Sequence, residues 1–226
     1  VSYEIVCRRP RANWPAIRRA APADYTKNRQ YELFTRAEKY IQTGQEEIAA
    51  RAKQLQAKHR HPVDVARAAY EWVLGQTEYR LIEGLGGAAY CLEHGHGECG
   101  DYCALWVALL RAAGVPARPV VGLWADETDG WHVWAEFMLP GGTWLPVDPQ
   151  IGDRTPWNRQ YYFGSSDNRR VALCRTLDIE LTGKRLGRMK ADFLQTGCVW
   201  WHSRKLRPEA RKPTVKFSVE GQELKA

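Results

Sequence analysis

No stretch of this 226-residue chain approaches the roughly 18 uninterrupted apolar residues that a membrane-crossing helix needs, so no span is expected. It lacks an initiator Met and a basic-then-apolar leader. Val1 instead falls in what reads as a strand, Tyr3-Glu4-Ile5-Val6. A trimmed or mature fragment is expected on that ground, with no compartment indicated. Internal repeats and low-complexity tracts are absent as well. With 44% apolar and 26% charged residues, the composition excludes a disordered or fibrous chain. Cysteine is sparse: positions 7, 91, 99, 103, 174 and 198 give no paired framework and no Cys-x-x-Cys, which rules out a disulfide scaffold. The length suits one large domain, or a domain with an appendage.

The net charge of +7 is unevenly spread. Residues 169–226 hold 14 Lys and Arg against 6 Asp and Glu, whereas the rest holds 19 against 20. Clusters such as Lys184-Arg185-Leu186-Gly187-Arg188 and Arg204-Lys205-Leu206-Arg207 would suit an acidic partner, or form a solvated face. No RNA- or DNA-binding motif accompanies them, so nucleic acid is not the expected partner.

Residues 7–30, rich in Arg, Pro and Ala, read as an extended lead-in. Thr43 followed by Glu46 has capping-box spacing and predicts a helix to about Lys58. A second helix is expected over 63–74, facing inward through Val65, Ala69, Trp72 and Val73 and stopped by Gly75. Residues 84–87 and 91–98 read as loops. A third helix starts at Cys99, with Cys103, Trp106, Leu110 and Ala113 along one face, and ends at Gly114 and Pro116. The period then changes to two. Strands are expected over 118–124, 131–139 and 143–148, with a turn at Pro140-Gly141-Gly142, and shorter ones over 171–174, 178–181, 198–201 and 215–219. Helices first and strands afterwards is an α+β arrangement.

Cys99 is placed to open a helix between Gly97 and Gly100. There a thiol meets the positive end of the helix dipole and free backbone N–H groups, which favour thiolate and can hold a developing oxyanion. His132 faces opposite to Val133, Ala135 and Phe137 on its strand. A turn centred on Gly141 pairs position 134 with 148, making His132 and Asp148 diagonal neighbours. A nucleophile, a base and an orienting carboxylate are the elements of covalent acyl transfer. Each residue alone has a plain structural reading: packing for Cys99, a strand histidine for His132, a turn cap before Pro149 for Asp148. It is the combination that points to catalysis.

The blocks Gly97-Glu98-Cys99-Gly100-Asp101-Tyr102-Cys103, Leu110-Arg111-Ala112-Ala113-Gly114-Val115-Pro116, Trp131-His132-Val133-Trp134 and Trp144-Leu145-Pro146-Val147-Asp148-Pro149 resemble the core of the transglutaminase-like superfamily. The resemblance implies a papain-like α+β fold with the nucleophile at a helix N-terminus packed on an antiparallel sheet. It divides the chain into a lead-in over 1–43, a catalytic core over 44–165 and a basic, β-rich extension over 166–226. It also implies Cys99 as nucleophile, His132 as base and Asp148 as orienting acid, acting on a peptide or protein substrate without cofactor or metal. Hydrolysis of peptide or isopeptide amides is the expected activity, with protein-glutamine γ-glutamyl transfer as the alternative. The paired Cys-x-x-Cys elements of related N-glycanases are missing, and there is no room for the added β-domains of animal transglutaminases. Cys103 stands where the family usually has Ala; core packing or the resolving of an oxidised Cys99 would explain it. For substrate or oxyanion contacts the candidates are Trp72, Gln76, Tyr79, Gly100, Trp131 and Trp134.

Two rival readings come from other classes. Cys91-x-x-His94-x-His96-x-x-Cys99 offers zinc-type ligands, but more crowded than usual zinc spacings. A catalytically dead binding module would use the basic C-terminal section, although all three triad residue types are present.

Overall fold

The computed structural model describes residues 25, 28–124, 130–167, 169–183 and 187–192. Strands expected over 3–6, 198–201 and 215–219 lie outside these residues, as do Lys184, Arg185 and the basic cluster at 204–207. The helical layer contains α1 (Glu46–Lys58), α2 (Pro62–Gln76), α3 (Gly87–His94), α4 (Cys99–Ala112) and α5 (Pro149–Arg154). Two short strands, β1 (Glu78–Tyr79) and β2 (His96–Gly97), pair in parallel among the helices. The main sheet is antiparallel, in the order β5 (Trp144–Val147), β4 (Trp131–Met138), β3 (Ala117–Trp124), β6 (Arg170–Cys174). A separate hairpin joins β7 (Ile179–Gly183) to β8 (Gly187–Ala191). This is the α+β architecture expected from the sequence.

Helix α4 is the centre. Every residue from Gly100 to Arg111 is buried, so it presents no solvent face. Its run Tyr102-Cys103-Ala104-Leu105-Trp106-Val107-Ala108-Leu109-Leu110 is apolar all round, which is the composition of an enclosed helix rather than an amphipathic one. It packs against the other four helices and the β3–β4 face of the sheet. Gly114, at φ +68°, ends it: its N–H reaches Arg111 O at 3.0 Å while the Val115 N–H reaches Leu110 O at 2.8 Å, a Schellman stop that turns the chain into β3.

Three local expectations are corrected. The cap of α1 is Gln45, whose side chain accepts the Ile48 N–H at 2.8 Å, not Thr43. Helix α2 runs through Gly75 to Gln76, because nothing near Gly75 requires a turn and the chain straightens at Thr77 to enter β1. Half of the loop expected over 91–98 is helix: α3 occupies Gly87–His94 and stops at Gly95, which takes the left-handed conformation. Its short length and glycine start gave the period little to register on. The expected pairing of β4 with β5 is observed, with Ala135 opposite Val147 and Phe137 opposite Leu145.

Candidate active site

The approach to Cys99 is built by backbone capture. Strand β2 lies beside β1 and delivers the chain to Glu98, the N-cap of α4. Asp101, fully buried in the first turn, accepts the N–H groups of Gly86 at 2.9 Å and Gly87 at 2.7 Å on one oxygen and that of Glu98 at 2.9 Å on the other. The Glu98 carboxylate accepts the Ile82 N–H at 3.0 Å. Residues 82–87 are thereby fastened beside the start of α4, with Leu85 so close that a Cβ at position 100 would stand 2.7 Å from its Cδ1. Burial pushes the Asp101 carboxyl up, against the three N–H groups that favour its ionised form. Asp101→Ala would leave those N–H groups without their acceptor. It is expected to cost about 3 kcal/mol of stability, read as a fall in the urea midpoint; a midpoint unchanged from wild type would contradict this account of the loop.

His132 comes from β4 on the face opposite Val133, Ala135 and Phe137, which join the helical core. Its ring is 3% exposed and stacks with Trp124 at 4.9 Å and Trp134 at 6.2 Å. Nε2 lies 2.7 Å from Asp148 Oδ2, and the Cys99 side chain hydrogen-bonds to the same imidazole, for which Nδ1 is the remaining nitrogen. Asp148 follows β5, caps α5 and accepts the Ile151 N–H on Oδ1 at 3.0 Å. Burial works against a charged His132, but the Asp148 carboxylate and the Cys99 side chain outweigh it and hold the imidazole up at about 9. Burial likewise opposes ionisation of Asp148; His132 and Arg170 overcome it and bring the carboxyl below its ordinary range.

Arg170 was not among the residues singled out from the sequence. The first residue of β6, it has a side chain only 1% exposed; Nη1 hydrogen-bonds Asp148 Oδ2, and Nε reaches Asp167 Oδ2 at 3.1 Å. Nothing in its local pattern marks an arginine 22 residues after Asp148 as its partner. Arg175, from the same section, reaches Glu136 at 3.4 Å beside Arg118. Part of the C-terminal basic excess is thus used inside the domain.

The other candidates divide. Trp72 lies under the Arg51 guanidinium at 4.7 Å, between α1 and α2, and the Gln76 amide bonds its neighbour Gly75 O at 3.0 Å; neither is joined to the Cys99 site by these contacts. Tyr79 is the upstream candidate in electrostatic reach of Cys99: burial raises its phenol first, then the proximity of Cys99 and Glu98. Trp134 is 1% exposed, a buried support for the His132 ring rather than an open wall. Trp131 is half-buried at the start of β4. Cys103 is wholly buried and donates to Trp134 O at 3.0 Å, a packing position. Cys91 faces Thr77 Oγ1 at 3.9 Å, while His94 stacks on Tyr90 at 4.1 Å, so the compact sequence cluster does not converge in space. Among the described residues, no group of three or more His, Cys, Asp and Glu side chains is arranged to hold a metal.

Comparison with known proteins finds a family model and several partial relatives. The family model described as transglutaminase-like superfamily matches residues 49–149. A Haemophilus influenzae protein is 35% identical over 23% of this chain and 20% of its own length. The structure of a proposed cysteine protease from Cytophaga hutchinsonii aligns with a TM-score of 0.53 and 20% identity, covering 66% of this chain and 47% of that one. The periplasmic domain of TgpA from Pseudomonas aeruginosa aligns with a TM-score of 0.48 and 23% identity, covering 60% of this chain and 51% of that one. This chain therefore spans about a fifth of the curated relative and about half of each of these solved structures. The helix that opens at Cys99, the hairpin that carries His132 and the strand that leads to Asp148 all fall within the matched residues, and that part of the chain is similar to the transglutaminase-like superfamily.

Proposed function

We propose that this domain is a cysteine acyl-transfer enzyme that hydrolyses peptide or isopeptide amides. The observation that carries the reading is the contact series from the Cys99 thiol to His132 and from its Nε2, at 2.7 Å, to Asp148. The Nε2–H donates to the carboxylate, so Nδ1 carries the proton exchanged with the Cys99 thiol, and an imidazole held up at about 9 keeps that proton near neutral pH. The thiolate adds to the amide carbonyl. The resulting oxyanion would be met by N–H groups in the first turn of α4, with the Tyr79 phenol as a second donor. Imidazolium then protonates the leaving amine, and a water activated by the same ring hydrolyses the thioester. No step calls for a metal or cofactor.

Alkylation with iodoacetamide at pH 6–7, mapped by peptide mass spectrometry, tests the reading. Cys99 and Cys174 are both partly exposed, so access alone predicts similar rates for the two. Cys99 is expected to react much faster, and His132→Ala to slow it by about 100-fold. Equal rates at the two cysteines, or a fast Cys99 in the His132 variant, would remove the proposal. Trapping of the thioester by an added primary amine in preference to water would replace hydrolysis by transglutamination.

A further inference from the structure

We infer that Arg170 is a positioning residue of the triad, a fixed cation that keeps Asp148 charged in both protonation states of His132 and so limits how tightly the imidazole holds its proton. This rests on the acyl-transfer reading and adds to it a residue outside the 49–149 family match.

The geometry places Arg170 and His132 on one atom: Arg170 Nη1 and His132 Nε2 both meet Asp148 Oδ2. The guanidinium also lies 4.3 Å over the Trp124 ring, whose neighbour in the stack is His132 at 4.9 Å. Arginine, aromatic ring and imidazole thus form one packed column beside the carboxylate. A planar, permanently charged group suits both the stacking and the ion pair.

Asp148 does not depend on Arg170 for its place. Oδ1 is held by the Ile151 N–H at 3.0 Å, and the Asp148 N–H is bonded to Tyr162 O at 2.8 Å. What Arg170 contributes is charge. The groups facing the pair are Cys99 and Cys103 from α4, Tyr70 from α2, Tyr162 from the 3-10 turn Pro156–Tyr162, Asp167 beside β6, and Arg169, 5.2 Å over the Trp124 ring. Burial raises Tyr70, Tyr162 and Cys103, so these stay neutral near pH 7. The balance at the carboxylate is set by His132, Arg170 and Asp167, with Cys99 and Arg169 farther out.

Without Arg170, deprotonating His132 would leave a buried carboxylate with no cation on it. The two titrations would be tightly coupled, and the imidazole would keep its proton to higher pH. With Arg170 in place, the carboxylate remains paired when the ring is neutral. The proton taken from Cys99 can then be passed to the leaving amine, which the catalytic cycle requires.

The test is an NMR titration of the His132 ring, assigned with His132→Ala, in protein whose accessible thiols carry a neutral methylthio cap so that Cys99 does not titrate. Arg170→Gln keeps a planar hydrogen-bonding group and loses the charge; its His132 midpoint is expected to rise by about one pH unit or more. Arg170→Lys restores a cation and is expected to stay near wild type. If Arg170→Gln does not fold, Arg170→Gln combined with Asp167→Asn replaces the Arg170–Asp167 ion pair by two amides and carries the same expectation of a rise. An unchanged or lowered midpoint overturns the inference, and so does an equal rise in Arg170→Lys, which loses the planar packing but keeps the charge. The two readings fail separately. Slow, His132-independent alkylation of wild-type Cys99 removes acyl transfer, whereas fast Cys99 with an unmoved His132 titration removes only the role of Arg170.

Discussion

Cys99→Ala is expected to abolish amide turnover, by about 10⁴-fold or more, and to leave the fold intact. The loss follows because the reaction proposed here passes through a covalent bond to sulfur, and neither His132 nor a bound water can supply it. Preservation of the fold follows from the position. Cys99 is only partly buried, alanine is the best helix former, and the start of α4 is defined by Asp101 and Glu98 rather than by the thiol. The measurement pairs hydrolysis of a peptide-amide library with a thermal melt of the variant. Cys103→Ala is the matched control: it removes a buried thiol one turn away that packs against Trp134 O. If Cys99→Ala kept more than about one per cent of wild-type turnover, the activity would belong to another group. Equal losses in the two variants would indicate damage to α4 instead.

Gly122→Ala is expected to destabilise the domain by about 3 kcal/mol and to slow Cys99 alkylation as well. Gly122 lies in β3 directly opposite His132, next to the register shift at Val121 where β6 joins. A Cβ there would stand 2.1 Å from Val171 O and 2.8 Å from the Trp134 ring. The first contact is with the backbone of the strand that carries Arg170, and the second is with the ring that supports His132. Neither can yield without displacing a member of the site, so one methyl group disturbs pairing and chemistry together. A urea melt and the iodoacetamide rate at Cys99 would both report it. Wild-type values in both would mean that β6 is free to move away from β3, contrary to the close packing described above.

Much of the site was legible because it is carried by short-range patterns. The change from a helical to an alternating period located the transition from α4 to the sheet. Gly141 set the turn, and with side-chain period two that turn was enough to put His132 and Asp148 on one face. The start of α4 at Cys99 was equally plain from its glycine neighbours. Less legible were elements whose role is to hold others. Helix α3 is short and opens on glycine, so periodicity passes over it. Asp101 reads as an ordinary first-turn acid, although it gathers three backbone N–H groups from two segments.

By itself, then, the sequence determined the helix-then-strand order, the hairpin register and the three residue types that meet at the site. Each of these depends on residues adjacent in the chain or joined by one tight turn. The tertiary structure alone decided that residues 82–87 lie against the start of α4. It also decided that Gly122 leaves room for Trp134 and that Arg170 shares Asp148 with His132. These contacts join segments whose separation in the chain carries no periodic signal. They exist because a buried charge and a close-packed ring must each find a partner in space, wherever along the chain that partner happens to be.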